Sequence, residues 1–189
     1  MKSVTLRSPF THRLAVVATL LLTAGALLAQ EPEAPADVES LRNPREPLPG
    51  VRTGGAPVAA EGIGRLAAEG VRTYVDLRRP DEITPEFRAA VATAGIELVE
   101  LPIAGEADLD LALARRLDAL LDDPARRPMV VGCSSGNRSG ALLAVHAFWL
   151  EGAPAERALE LGKAAGLTRL EPSVRLLLGL PPLPPPDGG

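Results

Sequence analysis

Met129–Gly140 reads MVVGCSSGNRSG, and the predicted fold is built around this segment. Three apolar residues lead into a glycine and the only cysteine of the protein, Cys133, after which come four small residues and Arg138. From Ala141 to Leu150, nine of the ten residues are then apolar, which suits a helix that is buried on every side. This order predicts a buried strand, a tight loop and the start of a core helix.

A loop between a strand and a helix gathers backbone N–H groups and the positive end of the helix dipole at one point. Such a point binds anions, and a cysteine placed there beside an arginine favours the thiolate over the thiol. We therefore expect Cys133 to lie at the mouth of an anion site and to act as a nucleophile. Ser134, Ser135, Gly136 and Asn137 are the predicted substrate-binding residues. Two alternatives stay open: a buried, inert cysteine, and a loop that binds an anion without turnover.

The remaining sequence alternates predicted strands and helices. Val71–Leu77 and Ile96–Ile103 are dense in β-branched and apolar residues and predict strands, and Leu48–Pro57 predicts a short strand and turn. Between the first two lies a predicted helix, Pro85–Ala94, with Thr84 as its N-cap. This alternation predicts an α/β fold with a central, mostly parallel sheet of about four strands flanked by helices.

Both ends of the chain differ in composition from the part between them. Residues 1–29 combine a basic start with an apolar run that is short for a membrane span, which is typical of a secretory signal peptide. We expect cleavage, a periplasmic or secreted protein and no stable membrane insertion, with an uncleaved anchor as the alternative. Residues 30–48 predict a flexible Pro-rich linker, residues 49–179 the folded domain, and residues 180–189 a disordered Pro-rich tail.

The charge balance and the cysteine count narrow the classes of function. The predicted signal peptide holds three of the 20 basic residues and none of the 24 acidic ones, which leaves 17 against 24 and a net charge of −7. Such an acidic chain is not expected to bind nucleic acid non-specifically. A single cysteine in an exported protein has no partner within its chain, so it is either a working thiol or a buried, inert residue.

The sequence CSSGNRSG followed by ALLA resembles the active loop of cysteine-dependent phosphatases, most closely the bacterial branch of beta-lactamase hydrolase-like protein phosphatases. The resemblance extends over about residues 49–170 and includes GVRTYVDLR at 70–78, the segment 95–103, and ALELGKAAGL at 158–167. Protein tyrosine phosphatases place five residues between the cysteine and the arginine and usually a histidine before the cysteine. This loop has four residues there, as the bacterial branch and rhodanese-type sulfurtransferases do, and Gly132 before the cysteine.

The resemblance implies a cysteine-phosphatase-like fold and an enzyme that hydrolyses phosphomonoesters without a metal or cofactor. The substrate would be a phosphorylated small molecule or protein. Cys133 would form a cysteinyl-phosphate, Arg138 would hold two phosphoryl oxygens, and Ser139 would help to expel the thiolate. The alternative from the same fold is a rhodanese-like sulfurtransferase that carries a persulfide on Cys133. A non-catalytic anion-binding module is a second alternative.

The families that this chain resembles also use an aspartate on a loop upstream of the cysteine as general acid. Asp108 is the best match to that residue, with Glu106 and Asp110 as the other acidic residues of the loop. Because a run of leucines at helical spacing begins at Leu109, Asp108 could instead be the N-cap of a helix.

Three further polar residues have two interpretations each. Asp76 and Arg78 follow a predicted strand, where they would support the site and face the substrate, or form a surface ion pair with Asp81 or Glu82. His146, within the apolar helix, is expected to be a core or rim histidine rather than a catalytic one.

Overall fold

The structure is a computed structural model that describes residues 40–57 and 59–184. Its centre is a five-stranded sheet in the order β1-β2-β5-β3-β4. The strands are β1 (Arg42–Leu48), β2 (Val51–Gly55), β3 (Thr73–Asp76), β4 (Glu97–Glu100) and β5 (Met129–Cys133). β1 is antiparallel to β2, and the other neighbouring pairs are parallel. The predicted α/β fold with a mostly parallel central sheet is therefore confirmed, with one more strand than expected.

Six helices lie in the described part of the chain: α1 (Ala60–Ala68), α2 (Pro85–Thr93), α3 (Leu111–Leu121), α4 (Asn137–Trp149), α5 (Ala155–Ala164) and α6 (Glu171–Leu177). Side chains of α1 and α2 form one hydrophobic cluster with Tyr74 and Val130 of the sheet. Side chains of α3 to α6 form a second cluster with Met129, Val131 and Cys133. Because successive residues of a strand point to opposite faces, β5 contributes to both clusters.

Helix α4 lies in the middle of the second cluster. Ten of its 13 residues are buried, as its nearly continuous apolar sequence predicts. His146 is only 1% exposed, and its Nε2 lies 2.8 Å from Asp118 Oδ1 on α3. It is therefore a core histidine that joins two helices, and the prediction for this residue is confirmed.

The prediction of a flexible linker over residues 30–48 is wrong for its last part, because Arg42–Leu48 form the edge strand β1. Most of β1 is exposed, and its pairing with β2 is irregular. Charged residues and prolines are typical of edge strands, whose backbone groups on one side face solvent, and the same composition is typical of a linker. The signal peptide prediction and residues 30–39 of the linker lie outside the described residues.

At the other end, the predicted tail from residue 180 begins against the folded part. Leu180 packs on the second hydrophobic cluster, and Arg175 Nε donates a hydrogen bond to the Pro181 carbonyl oxygen at 2.6 Å. Residues 185–189 of the tail lie outside the described residues. Within residues 40–57 and 59–184, no helix is both long and apolar enough to cross a membrane.

Gly132 permits a close approach between β5 and Tyr74 of the neighbouring strand. A Cβ atom added at Gly132 would overlap the Tyr74 hydroxyl and lie 2.7 Å from its Cζ atom. The hydroxyl is buried without a hydrogen-bond partner among the residues that the structure describes, and burial raises the pKa of Tyr74 above its ordinary value. The tyrosine ring therefore occupies the space that any larger residue before the cysteine would need.

We expect Gly132→Ala to lower the free energy of unfolding by about 1–3 kcal/mol, the usual cost of overpacking a core. In a Tyr74→Phe background the same change is expected to cost less, because the overlapping hydroxyl is gone. Urea unfolding of both single variants and the double variant gives this coupling. Gly64→Ala is the control, because no atom lies within 4 Å of its added Cβ. Additive effects of the two substitutions would contradict the steric explanation.

Candidate active site

Cys133 is the last residue of β5, and the strands on both sides hold it in place. Its carbonyl oxygen accepts a hydrogen bond from Ala56 N at 2.7 Å, and the Gly132 oxygen accepts one from Leu77 N at 2.8 Å. The cysteine is 0% exposed. The prediction that Cys133 lies at the mouth of the anion site is therefore wrong, because the residue is fully buried.

The predicted strand, loop and helix start are present around the sulfur. Gly136 has a φ of 94°, a left-handed conformation that glycine adopts without steric cost, and it is the N-cap of α4. This turn directs the Gly136 N–H at the Cys133 sulfur, over an N–Sγ distance of 3.1 Å. The sulfur therefore has a defined hydrogen-bond donor at the start of α4.

Arg138 lies one residue into α4 and binds a carboxylate that the sequence analysis did not assign to the site. Its Nη2 donates a hydrogen bond to Glu82 Oε1 at 3.1 Å and lies 3.0 Å from Glu82 Oε2, and Ser134 Oγ donates to Glu82 Oε1 at 3.1 Å. Its Nη1 is buried and has no hydrogen-bond partner among the described residues. A buried donor without a partner is uncommon, so Nη1 is available for an incoming oxygen.

Glu82 belongs to a turn, Pro80–Glu82, that follows β3 at the carboxyl end of the sheet. Partial burial would raise the pKa of Glu82, but hydrogen bonds from Arg138 and from the Arg79 backbone N–H outweigh this effect and lower the pKa from 4.5 to about 2. The group is therefore a carboxylate at any ordinary pH. In the sequence, only the position of Glu82 indicates that it belongs to the site. It follows a strand that lies beside the cysteine-bearing strand, at the sheet edge where α/β proteins bind ligands.

Asp76 and Arg78 bind each other, and the surface ion pair predicted between Arg78 and Asp81 or Glu82 is absent from the described contacts. Arg78 Nη2 lies 2.7 Å from Asp76 Oδ2, and Nε lies 3.0 Å from Oδ1. The guanidinium also stacks on the Phe87 ring, 4.3 Å from its centroid. Partial burial would lower the pKa of Arg78, but the bonds to Asp76 raise it. Because Asp76 is completely buried, the pair supports the end of β3.

Asn137 has a structural task rather than a free side chain. Its Oδ1 accepts hydrogen bonds from Thr168 N at 2.9 Å, Thr168 Oγ1 at 3.2 Å and Leu170 N at 3.2 Å. The Asn137 side chain therefore attaches residues 168–170 to the start of α4, and substrate binding by the N–H groups of the loop, including that of Asn137, stays a prediction. Of the other predicted loop residues, Ser135 is exposed, whereas Ser139 is buried and its Oγ has no partner in the described structure.

Asp108 lies on the loop between β4 and α3, in a turn formed by Glu106–Asp108. Its Oδ2 accepts hydrogen bonds from the backbone N–H groups of Ala104, at 2.6 Å, and Gly105, at 3.1 Å. The alternative that Asp108 is the N-cap of the following helix is wrong, because Asp110 caps α3 and accepts from Leu113 N at 2.7 Å.

A cavity of about 310 Å³ lies between this loop and the cysteine loop. Its wall combines two arginines, an asparagine, three apolar residues and a glycine, and it contains no aromatic side chain: Ile103, Ala104, Gly105, Asn137, Arg138, Arg169 and Leu170. No cluster of three or more His, Cys, Asp or Glu residues arranged to hold a metal ion occurs among the residues that the structure describes.

Solved structures of phosphatases share this fold. A putative phosphatase (DUF442) from Shewanella putrefaciens CN-32 is 17% identical, with a TM-score of 0.56 over 73% of this chain and 87% of that one. The core catalytic domain of the PP-IP phosphatase Siw14 from S. cerevisiae is 16% identical, with a TM-score of 0.58 over 75% and 86%. A cysteine-to-serine variant of P. aeruginosa TpbA, in complex with pTyr, is 20% identical, with a TM-score of 0.51 over 70% and 81%.

At these identities the likeness is one of fold, and a comparison with curated proteins gives no match. The family model of a DSP-PTPase phosphatase fused to NAD+ kinase matches residues 49–168, which include the sheet from β2 onwards, the cysteine loop, α4 and α5. The expected relation to cysteine phosphatases is thereby confirmed, and the narrower beta-lactamase hydrolase-like branch and the sulfurtransferase relation stay predictions. The chain belongs to the DSP-PTPase family of phosphatases fused to NAD+ kinase.

Proposed function

We propose that the protein is an exported, cysteine-dependent phosphatase that hydrolyses phosphomonoesters through a cysteinyl-phosphate on Cys133. The observation that carries the proposal is the buried Nη1 of Arg138, which has no partner in the described part of the chain and lies in the first turn of α4, directly after the loop whose Gly136 N–H donates to the Cys133 sulfur. A phosphoryl group has oxygens that can accept a hydrogen bond from Nη1, and it has an electrophilic phosphorus that a thiolate can attack. Export is inferred from the sequence of residues 1–29 alone.

In the proposed first step, the Cys133 thiolate attacks phosphorus, the S–P bond forms and the P–O bond to the alcohol breaks. Arg138 and the loop N–H groups bind the phosphoryl oxygens, where negative charge must be stabilised in the transition state. Asp108, deprotonated after it has protonated the alcohol, then takes a proton from water as the water attacks phosphorus, the S–P bond breaks, and phosphate leaves while the thiolate is restored. Ser139 is proposed to stabilise that departing thiolate with its hydroxyl.

Glu82 is proposed to orient Arg138 in this reaction. A carboxylate bound to Nη2 fixes the plane of the guanidinium, so that Nη1 keeps one direction instead of sampling several. The same carboxylate binds Ser134 Oγ, and therefore couples the turn after β3 to the cysteine loop. Because it interacts with a loop arginine and not with substrate, Glu82 is a positioning residue.

Asp108 is proposed as the general acid that protonates the leaving alcohol. Its neighbours are tied to other elements: Asp110 caps α3, and Glu106 Oε2 accepts a hydrogen bond from Ser173 Oγ on α6. Asp108 binds N–H groups of its own loop, so it moves with that loop. These N–H groups belong to Ala104 and Gly105, which line the same cavity as Arg138.

We expect Cys133→Ser to abolish hydrolysis of phenyl phosphate, because a serine hydroxyl is a far weaker nucleophile at neutral pH. The assay is phosphate release, run beside thiosulfate-dependent sulfur transfer to cyanide. Arg157→Ala, which changes an exposed residue of α5 that does not line the cavity, is the control. Phosphate release that survives in Cys133→Ser would refute the cysteinyl-phosphate. Sulfur transfer without phosphate release would favour the sulfurtransferase, and tight phosphate binding with neither activity would favour a non-catalytic module.

We expect Asp108→Asn to reduce the rate on phenyl phosphate by about 10²–10⁴-fold, the usual contribution of general acid catalysis. The rate on 2,4-dinitrophenyl phosphate should fall much less, because that leaving group needs no proton. Initial rates on the two esters give the comparison. Asp110→Asn is the matched control, because asparagine is an equally good N-cap and keeps α3 intact. An equal loss on both esters would show that Asp108 only shapes its loop.

The low pKa of Glu82 predicts a specific loss of stability in acid. A carboxyl whose folded pKa is about 2 and whose ordinary value is 4.5 stabilises the fold above pH 4.5, and this contribution disappears as the pH falls towards 2. As the pH falls, we expect the free energy of unfolding of the wild type to decrease by about 1–2 kcal/mol more than that of Glu82→Gln, after allowance for solvent screening. Urea unfolding at pH 6, 4 and 2.5 measures it, with Asp81→Asn from the same turn as control. Wild-type acid sensitivity in Glu82→Gln would contradict the pairing with Arg138.

A further inference from the structure

We propose that the cavity beside the cysteine loop is a second anion subsite, in which Arg169 binds a phosphate or carboxylate on the leaving group of the substrate. The preferred substrates are then small phosphomonoesters that carry a second anionic group. This inference rests on the proposed phosphatase function, since it places the transferred phosphoryl group on Arg138 of the same cavity.

Arg169 is held in a fixed position relative to the cysteine loop. The Asn137 side chain accepts hydrogen bonds from the residues on both sides of it, at Thr168 N and Leu170 N. Asn137 is also the first residue of α4 and the direct neighbour of Arg138. One amide oxygen therefore attaches the segment that carries the second arginine to the residue beside the first.

The charge of Arg169 is not neutralised within the described protein. The residue is exposed, and it forms no hydrogen bond or ion pair with any residue in 40–57 or 59–184. The nearest acidic residue in sequence, Glu171, is held by other cations: Lys163 Nζ lies 2.8 Å and Arg175 Nη1 lies 3.5 Å from its Oε1. Arg138 on the same cavity wall is already paired with Glu82, so Arg169 supplies the uncompensated positive charge of this cavity.

The shape and composition of the cavity favour a small dianionic ligand over a peptide. The space of about 310 Å³ is open and lacks an aromatic wall on which a phosphotyrosine ring could stack. Ile103, Ala104 and Leu170 offer only a small apolar surface for the part of the ligand between its two anionic groups. The polar recognition groups at this site are the two arginines, so we assign the specificity to charge.

The chemistry of this assignment predicts which kinetic constant changes. Arg169 would bind a group that takes no part in the bond changes at phosphorus, so its contribution is the same in the ground state and in the transition state. Such uniform binding lowers KM and leaves kcat nearly constant. A residue that only supports the fold would change both constants, and would do so for every substrate.

The experiment compares phenyl phosphate with 1,2-, 1,3- and 1,4-phenylene bisphosphate, which place the second phosphate at three separations. We expect kcat/KM for at least one isomer to exceed that for phenyl phosphate by about tenfold or more, the scale of one charge-assisted hydrogen bond. In Arg169→Ala this ratio should fall to about two, the statistical factor for two equivalent phosphates, mainly through KM. Arg169→Lys should retain part of the preference, because it keeps the charge.

Arg115→Ala is the matched control, because Arg115 is an exposed arginine of α3 that does not line the cavity. We expect it to keep the wild-type ratio. Cys133-dependent hydrolysis with an unchanged ratio in Arg169→Ala would overturn the subsite and leave the phosphatase intact. An Arg169-dependent preference for acidic phosphotyrosine peptides, without any for the bisphosphates, would overturn the assignment to small molecules.

If the wild type hydrolyses none of these esters, the proposed function fails, and calorimetry still tests the subsite. Cys133→Ser is titrated with inorganic phosphate and with pyrophosphate, in the presence and absence of the Arg169→Ala change. Tighter pyrophosphate binding that Arg169→Ala removes would support a second anion site. Equal affinities for both anions in both proteins would overturn it.

Discussion

The burial of α4 fixes the hydrogen bond from the Gly136 N–H to the Cys133 sulfur, and the other residues of the site are arranged around that bond. A helix packed on all sides cannot shift or rotate without opening voids in a core that is packed as densely as a crystal. Its first turn is therefore fixed relative to β5, and so is the direction of the N–H groups that precede it. The hydrophobic pattern of residues 141–150 is therefore the reason that the Cys133 sulfur has a defined hydrogen-bond donor.

Four segments converge on that fixed turn. Glu82 comes from the turn after β3, residues 104–108 follow β4, the cysteine loop follows β5, and residues 168–170 connect α5 and α6. Two of them are attached to the turn by side chains, because Arg138 binds Glu82 and Asn137 binds residue 168, whereas Asp108 binds the backbone of its own loop. The carboxyl ends of parallel strands lie at one edge of the sheet, and this geometry brings segments that are distant in sequence to one place.

The parts of the structure that could be predicted from the sequence are those whose signal is local and periodic. The strand, loop and helix around Cys133 and the helix capped by Thr84 follow from apolar spacing and from the chemistry of helix ends. β1 was missed because an edge strand needs no alternating apolar face. Glu82 was missed because it is 56 residues from Arg138, and no sequence pattern indicates which glutamate and arginine form a pair at that separation. The N-cap of α3 is Asp110 and not Asp108, two residues away. Side-chain geometry decides a shift of this size, whereas hydrophobic periodicity does not.

The order of the strands has a consequence for how the protein is made. β5 is the last strand in the chain but lies in the middle of the sheet, where it alone joins the β1–β2 pair to the β3–β4 pair. Two-stranded pairs are at best marginally stable by themselves. A chain that stops before residue 129 would hold two separate half-sheets, so the complete sheet and the anion site can form only together, once the segment that bears the thiol is present.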